Sequence, residues 1–231
     1  VPVANPVFSQ QPAPAVKAFS VSSTPTIQIW YGNNQSFGQH GTPQRWANIL
    51  GNVQDSSGIA SLVYSLNNGP AAALSLGPDT RRLAEVGDFT IELDTLALNA
   101  GANQVVITAT NNLALHAVAT VQVNYQPANV WPLPYTANWA STSNIQSVAQ
   151  VVDGRWAIQS GVLRPQVFAY DRLVALGDMT WTDYEVTVPV TVHSIDAGGF
   201  GSSGGPGVGI ITRWAGHFQA LDEQPRVGWQ A

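Results

Sequence analysis

The chain has 231 residues, which is enough for one large all-β domain or for two domains of ordinary size. Apolar residues make up 45% of it, so a packed core is feasible, while the formal net charge of −5 argues against a nucleic-acid-binding surface, which needs clustered positive charge. The chain contains no cysteine, which excludes disulfide bonds, cysteine-ligated zinc and thiol catalysis.

No apolar run reaches the 18 or so residues that a membrane-spanning helix needs. The chain begins at Val1 without a basic and apolar leader, so we expect that any export signal has been removed or was never included. Residues 1–25 contain five prolines and show no sustained periodicity, which predicts an extended arm or linker. This arm is either a disordered tail or a segment that adds a strand to another chain.

Residues 26–126 consist of short segments in which apolar and polar residues alternate, separated by turns that contain Gly and Asn. In the segment 88–94, Phe89, Ile91 and Leu93 fall on one face, as a strand with one buried face requires. The same alternation recurs in IASLVYSL, NQVVITAT and TVQVNY. Strands at this spacing, with no helical period, predict a β-sandwich with less than about a tenth of the residues in α-helix.

Three stretches of this part carry a resemblance to a known family. They are DSSGIASLVYSLNNGP (Asp55 to Pro70), GDFTIEL (Gly87 to Leu93) and GANQVVITAT (Gly101 to Thr110). Together they resemble bacterial immunoglobulin-like or cadherin-like surface domains, which implies an Ig-like β-sandwich over residues 26–126. Asn111 stands where many members carry Asp, and the acidic calcium signatures of true cadherins are missing, so the resemblance does not imply calcium bridging.

The segment YQPANVWPLPY (125–135) carries three prolines and is the predicted domain boundary. Beyond it the composition changes, since six of the eight tryptophans lie there. Within 180–195 the alternation is strict from Tyr184 onward and predicts a long antiparallel strand, with Pro189 placing it near a sheet edge or at a bulge. One face is predicted to be buried: Tyr184, Val186, Val188, Val190 and Val192. The other is predicted to be exposed: Glu185, Thr187 and Thr191.

The second part contains W-x-x-x-x-G-x-L from Trp156, Tyr170-Asp171-Arg172, WTDYEV from Trp181 and G-x-G-x-x-x-R-W from Gly207. This order resembles concanavalin-like (laminin-G-like) jelly rolls of secreted bacterial proteins, and the likeness covers about residues 130–231. It implies a jelly-roll domain over 127–231 and a secreted or cell-surface location. Such jelly rolls usually have more strands, so we expect an incomplete domain that another chain or sequence beyond Ala231 completes. Within this chain the N-terminal arm is the best candidate.

Concanavalin-like folds include β-glucanases, but their E-x-D-x-x-E motif is absent here. Asp183 and Glu185 share a strand face at the separation that a retaining glycosidase needs, yet their threonine neighbours favour a solvated polar face. No G-x-S-x-G elbow accompanies the four histidines, and GGFGSSGGPG (198–207) lacks the ending of a phosphate loop and is predicted to be a hairpin loop. We therefore predict that the protein is not an enzyme.

Sugar-binding β-sandwiches present Trp or Tyr as flat platforms beside polar groups. The candidates here are Tyr170, Asp171, Arg213, Trp214 and Trp229, although burial in a core is the commoner fate of a tryptophan. Members of the concanavalin-like superfamily often bind calcium, which makes four acidic residues weak calcium candidates: Asp171, Asp178, Asp196 and Asp222. No other cofactor is expected.

The leading hypothesis is a non-catalytic secreted or cell-surface protein for binding or adhesion, with a glycan or another surface polymer as the partner of the jelly-roll domain. The alternative is a structural subunit of an extracellular filament or sheath, which assembles by strand addition through the N-terminal arm. A glycan-active enzyme is the weakest alternative. Neither a nucleic-acid partner nor a membrane span is expected.

Overall fold

The structure, a computed structural model, describes residues 23–196 and 205–229. Residues 1–22 of the predicted arm and most of the predicted Gly-rich loop lie outside the described residues. The described chain is all-β, as predicted, and contains twelve strands, three short 3-10 turns and no α-helix. None of its helical turns is long and apolar enough to cross a membrane.

The strands follow in chain order: β1 (Thr26–Ile29), β2 (Asn34–Phe37), β3 (Trp46–Gln54), β4 (Ile59–Leu66), β5 (Ala72–Ala73), β6 (Asp88–Asp94), β7 (Gly101–Asn111), β8 (His116–Tyr125), β9 (Gln150–Asp153), β10 (Trp156–Gln159), β11 (Val162–Pro165) and β12 (Leu173–Ala175). The 3-10 turns are Thr95–Ala97, Trp139–Ser141 and Ile145–Ser147. Each turn follows an Asp or Asn whose side chain accepts a hydrogen bond from a backbone N–H of the turn.

The first eight strands form a β-sandwich. One sheet has three antiparallel strands in the order β1-β3-β6, and the other has five in the order β2-β8-β7-β4-β5. In the second sheet β2 runs parallel to β8, and the other neighbours are antiparallel. Alternate side chains of the two sheets meet in a single core, which contains Phe89, Ile91 and Leu93 as predicted.

The three-stranded sheet is buried on both faces. Odd-numbered residues of β3 and β6, such as Ile49 and Ile91, face the sandwich core, whereas even-numbered residues such as Asn48 and Glu92 lie on the outer face and are equally buried. The chain after β8 covers that outer face, where Gln150 Nε2 donates a hydrogen bond to Asn48 Oδ1 (3.0 Å). The polar side of β6 therefore lies beneath a second layer of protein.

This second layer, called here the second region, comprises the described residues after β8. It has two antiparallel two-stranded sheets, β9 with β12 and β10 with β11. A small core joins Val152, Ala175 and Trp214, with Leu173 packed against it. The second region's own ladders are short, and side-chain hydrogen bonds such as those of Gln150 join it to the sandwich.

The segment Thr180 to Ile195 is not a strand in the structure, and the predicted burial of its valines is wrong. The four valines of its apolar face are between 43% and 59% exposed. Its polar residues are exposed, as predicted: Glu185, Thr187 and Thr191. Alternation decides which side chains share a face, but it supplies no neighbouring strand, and no described residue pairs with this segment or with GVGIITRW (207–214).

Tyr31 links the sandwich to the second region. Its hydroxyl donates to the Gly154 carbonyl oxygen (3.0 Å) and accepts from the Trp156 backbone N–H (2.9 Å). Burial raises the pKa of Tyr31 to about 12, against the lowering effect of the Trp156 hydrogen bond. The phenol is therefore protonated, and able to donate, throughout the neutral pH range.

We expect Tyr31→Phe to lower the free energy of unfolding by about 1–3 kcal/mol, because the change leaves a buried carbonyl and a backbone N–H without their partner. Urea denaturation measures this loss. Tyr170→Phe is the matched control, since the Tyr170 hydroxyl makes no hydrogen bond within the described chain, and it should change the unfolding midpoint little. Equal losses in the two variants would contradict a role for the Tyr31 hydroxyl.

Candidate functional site: a buried ionic cluster and an exposed apolar segment

A cluster of buried charged side chains lies between the three-stranded sheet and the second region. Its centre is Arg82, which lies in the loop between β5 and β6. The Arg82 guanidinium donates from Nε to Asp153 Oδ1 and from Nη1 to Glu92 Oε1, both at 2.6 Å. Asp153 ends β9 and Glu92 lies in β6, so one arginine joins the two layers.

The second oxygen of Glu92 binds the end of the described chain. Glu92 Oε2 accepts hydrogen bonds from the backbone N–H of Arg226 (2.8 Å) and from its Nη1 (3.3 Å). The guanidinium of Arg226 lies 3.9 Å from the ring centre of Trp46, and that of Arg45 lies 4.5 Å from it. The Trp46 indole N–H donates to the His217 carbonyl oxygen (2.7 Å). Cation–π contacts and hydrogen bonds therefore fix the same end of the second region.

His217 is buried between two carboxylates. Its Nε2 lies 3.7 Å from Asp153 Oδ2 and 3.6 Å from Asp171 Oδ2, beyond ordinary hydrogen-bond distance. The imidazole packs edge-on against Trp214, with ring centres 5.3 Å apart. Neither ring nitrogen has a hydrogen-bond partner within the described chain. Packing, and not direct hydrogen bonding, therefore holds this ring in place.

The electrostatics of the cluster follow from its burial. Burial raises the pKa of Asp153, although Arg82 and His217 oppose the shift. Burial alone would lower the pKa of Arg82, but the charges of Asp153 and Glu92 outweigh it and raise that pKa. Arg82 is therefore a permanent buried cation. The arrangement can hold two layers together, and its groups are closed to solvent.

The structure buries one residue of the predicted ligand site, Trp214, and leaves another, Arg213, exposed. Trp214 is only 8% exposed and packs against Val152 and Ala175, so it belongs to the core and has no face for a ligand. A bulky ring beside small strand residues is best removed from water in this way. Arg213 is exposed, and its Nη2 donates to the Thr182 carbonyl oxygen (2.8 Å).

Trp229 and Asp171 do come together. Trp229 is 51% exposed, and its Nε1 lies 3.4 Å from Asp171 Oδ2. Tyr170 is half-buried, and its carbonyl oxygen accepts from Arg172 Nη2 (3.0 Å). Of the predicted ligand residues, Trp229 with Asp171 offers an open aromatic face beside a polar group.

The predicted calcium residues are not assembled into a metal site. Within residues 23–196 and 205–229, no group of three or more His, Asp and Glu side chains has a metal-holding arrangement. Asp178 instead accepts hydrogen bonds from the backbone N–H of Thr42 (2.9 Å) and from the hydroxyl of Thr180 (2.6 Å). Although burial acts to raise it, these bonds hold the pKa of Asp178 below its usual range. Asp171 lies beside His217, whereas Asp196 and Asp222 are exposed.

Two small depressions of the described surface lie beside the sandwich. One holds about 20 Å³ and is lined by residues that include Phe37, His40 and Trp131. The other holds about 150 Å³ at the edge of the sandwich, beside β2 and β8. Asp183 and Glu185, the carboxylates considered for glycosidase chemistry, line neither depression and are both exposed.

Residues 184–195, called here the valine segment, form an exposed stretch rich in apolar side chains. At one end the Tyr184 hydroxyl accepts from the Arg213 backbone N–H (3.0 Å), and at the other His193 Nε2 lies 2.8 Å from Arg164 Nη2. Between these anchors, residues 185–192 make no hydrogen bond within the part of the chain that the structure describes. Their main-chain groups are therefore available to a partner.

Sequence reasoning missed the ionic cluster. Glu92 was placed on the polar face of a strand, which is where a solvated carboxylate also falls, and Arg82 stands in a turn-rich loop. The low content of charged residues could have pointed to the cluster, because a glutamate in the middle of a strand is unusual in a chain with so few charges. The sequence alone does not say which arginine would reach it.

No family model matches the chain, and no curated protein matches it. Among solved structures it is similar to the endo-β-1,4-mannanase from Thermotoga petrophila, with 9% identity, a TM-score of 0.35, and coverage of 48% of this chain and 21% of the mannanase. It is also similar to the fibronectin(III)-like modules of Clostridium thermocellum CbhA, with 13% identity, a TM-score of 0.31, and coverage of 51% and 53%. The chain thus spans about a fifth and about half of these proteins. Neither similarity supports a conclusion about the function of this chain.

Proposed function

We propose that this protein is a non-catalytic binding protein of the cell surface or extracellular space, which holds another polypeptide through the exposed apolar segments of its second region. The valine segment carries the proposal. With its neighbours after residue 204 it presents eight apolar side chains that are 38–67% exposed: Val186, Val188, Val190, Val192, Ile195, Val208, Ile210 and Ile211. Larger exposed apolar surfaces mark interaction sites in soluble proteins.

The chemistry of the segment favours a polypeptide as the bound polymer. Residues 185–192 have unpaired main-chain groups and side chains of alternating character. Strand addition uses both features, since main-chain hydrogen bonds supply affinity and alternate side chains supply specificity. Valine also fits a pleated surface better than most residues.

A non-catalytic role is supported by the position of the charged groups. The most strongly coupled charged groups, Arg82, Asp153 and Glu92, are buried between two layers and serve to hold them together.

A second candidate function is glycan binding, which the exposed ring of Trp229 beside Asp171 favours. An aromatic face with an adjacent carboxylate provides both an apolar platform and a hydrogen-bond acceptor. This site is separate in sequence from the valine segment, so the two functions can be tested with different variants.

The test uses a phage-displayed library of random peptides and a variant in which Val186, Val188, Val190 and Val192 are all replaced by threonine. Threonine keeps the branched shape and the strand preference but makes the face polar. Wild-type protein should enrich peptides with alternating β-branched residues, and the variant should enrich none of them. Enrichment by both proteins, or by neither, would overturn the proposal. A glycan array with wild type and Trp229→Ala tests the second candidate.

A further inference from the structure

The valine segment has one complete main-chain edge. In an extended chain, the N–H and C=O groups of alternate residues point to the same edge. Even-numbered residues from Tyr184 to Val192 all carry an N–H, whereas the odd-numbered edge contains Pro189, which has none. No residue of this stretch has a positive φ, so each is compatible with strand geometry. The edge formed by the even-numbered residues can therefore form an uninterrupted hydrogen-bond ladder, whereas the edge that contains Pro189 cannot.

We infer that the occupant of this edge is the valine segment of a second copy of the protein, paired antiparallel about Val188. The inference rests on the proposed function and specifies its partner. In this register Val188 of each copy faces the other, Val186 faces Val190, and Tyr184 faces Val192. The apolar side chains of both copies then share one face.

The antiparallel register pairs the main-chain N–H and C=O groups of the two copies. Even-numbered residues form the hydrogen-bonded pairs, and two copies exchange about ten N–H to C=O bonds from Tyr184 to Val192. Pro189 falls opposite Thr187, in a pair that exchanges no main-chain hydrogen bonds. Its missing N–H therefore costs the ladder nothing.

The register also matches the charges. Asp183 and Glu185 stand at the start of the segment, and His193 stands at its end with Arg164 Nη2 at 2.8 Å. The antiparallel pair brings Asp183 of one copy opposite His193 of the other, beside Arg164. A parallel pair would place each carboxylate opposite the same carboxylate of the other copy, and such like-charge pairs are unfavourable. Charge complementarity therefore selects the antiparallel arrangement of two copies.

The first experiment measures the mass of the full chain by sedimentation velocity over a range of concentrations. Wild type should show a reversible monomer–dimer equilibrium. Val188→Asp places two carboxylates opposite each other and should raise the dimer dissociation constant at least about tenfold. Thr187→Asp, on the opposite face, is the matched control and should change that constant by less than about twofold. Both positions are exposed, so both variants should keep the thermal midpoint of the wild type at concentrations where the wild type is monomeric.

The second experiment tests the register. Asp183→Arg places an arginine beside Arg164 of the other copy, and His193→Asp places a carboxylate opposite Asp183. Each variant should therefore weaken the dimer about tenfold, and the double variant should restore it. A monomeric wild type, or a dimer that resists Val188→Asp, would overturn the inference. Double-variant weakening that equals the sum of the single effects would overturn it as well. Peptide enrichment by a monomeric wild type would leave the proposed function standing while this inference falls.

Discussion

Replacing Arg82 with methionine is expected to lower the free energy of unfolding by roughly 3–5 kcal/mol. Arg82 is the buried partner of Asp153 and of Glu92, and both carboxylates are almost fully shielded from water. Methionine fills much of the arginine volume but leaves Asp153 without its nearest cation. Urea denaturation followed by tryptophan fluorescence measures the loss.

Arg81→Met is the matched control for this prediction. Arg81 is the exposed neighbour of Arg82, and its side chain has no ion-pair partner within the described chain. The control should leave the unfolding midpoint almost unchanged. A similar loss for both variants would assign the effect to the loop and not to the buried ion pairs.

The stability loss caused by Arg82→Met is also expected to depend on pH. Burial already raises the pKa of Asp153, and removing the cation raises it further. A raised folded-state pKa gives stability that is present at low pH and is lost as pH rises through that pKa. The stability deficit of the variant should therefore become smaller as the pH falls below neutrality. A deficit that grows on acidification would contradict the buried-carboxylate explanation.

Gly87→Ala is the second substitution that is expected to lower the free energy of unfolding strongly. Gly87 has a φ of +82°, and a Cβ built there would collide with the Val53 carbonyl oxygen. An alanine therefore incurs about 1–2 kcal/mol for the left-handed backbone and about 1–3 kcal/mol more for the collision with β3. Thermal and urea unfolding should both show the loss.

Gly101→Ala separates these two costs. Gly101 has a φ of +84°, nearly that of Gly87, but nothing lies within 4 Å of its Cβ position. This control should lose only the backbone contribution. Equal losses at the two glycines would show that the loop before β6 moves to accommodate the methyl group.

The sandwich was predictable from the sequence because its long strands pair with neighbours and turn one face to a common core. Under those conditions a period of two reports which side chains face the sandwich core, as it does for Phe89, Ile91 and Leu93. The local pattern and the tertiary environment agree there.

The same pattern failed for the valine segment, because alternation says nothing about whether a ladder partner exists. It also failed on the outer face of β6, where Glu92 meets Arg82 and Arg226 instead of water. A polar face is compatible with solvent or with a polar second layer, and only the three-dimensional path of the chain distinguishes them. For the ligand candidates, the sequence brought Asp171 and Trp229 into one set, but it could not tell that Trp214 is core.

Pro189 limits the number of chains that can pair through the valine segment. A strand with two usable edges can take a neighbour on each side, and such pairing propagates without end. A strand with one usable edge is saturated by a single partner, and the resulting pair turns only its proline-bearing edges outward. Pairing through the valine segment therefore terminates at two chains, and a filament of this protein would have to be built through a different surface.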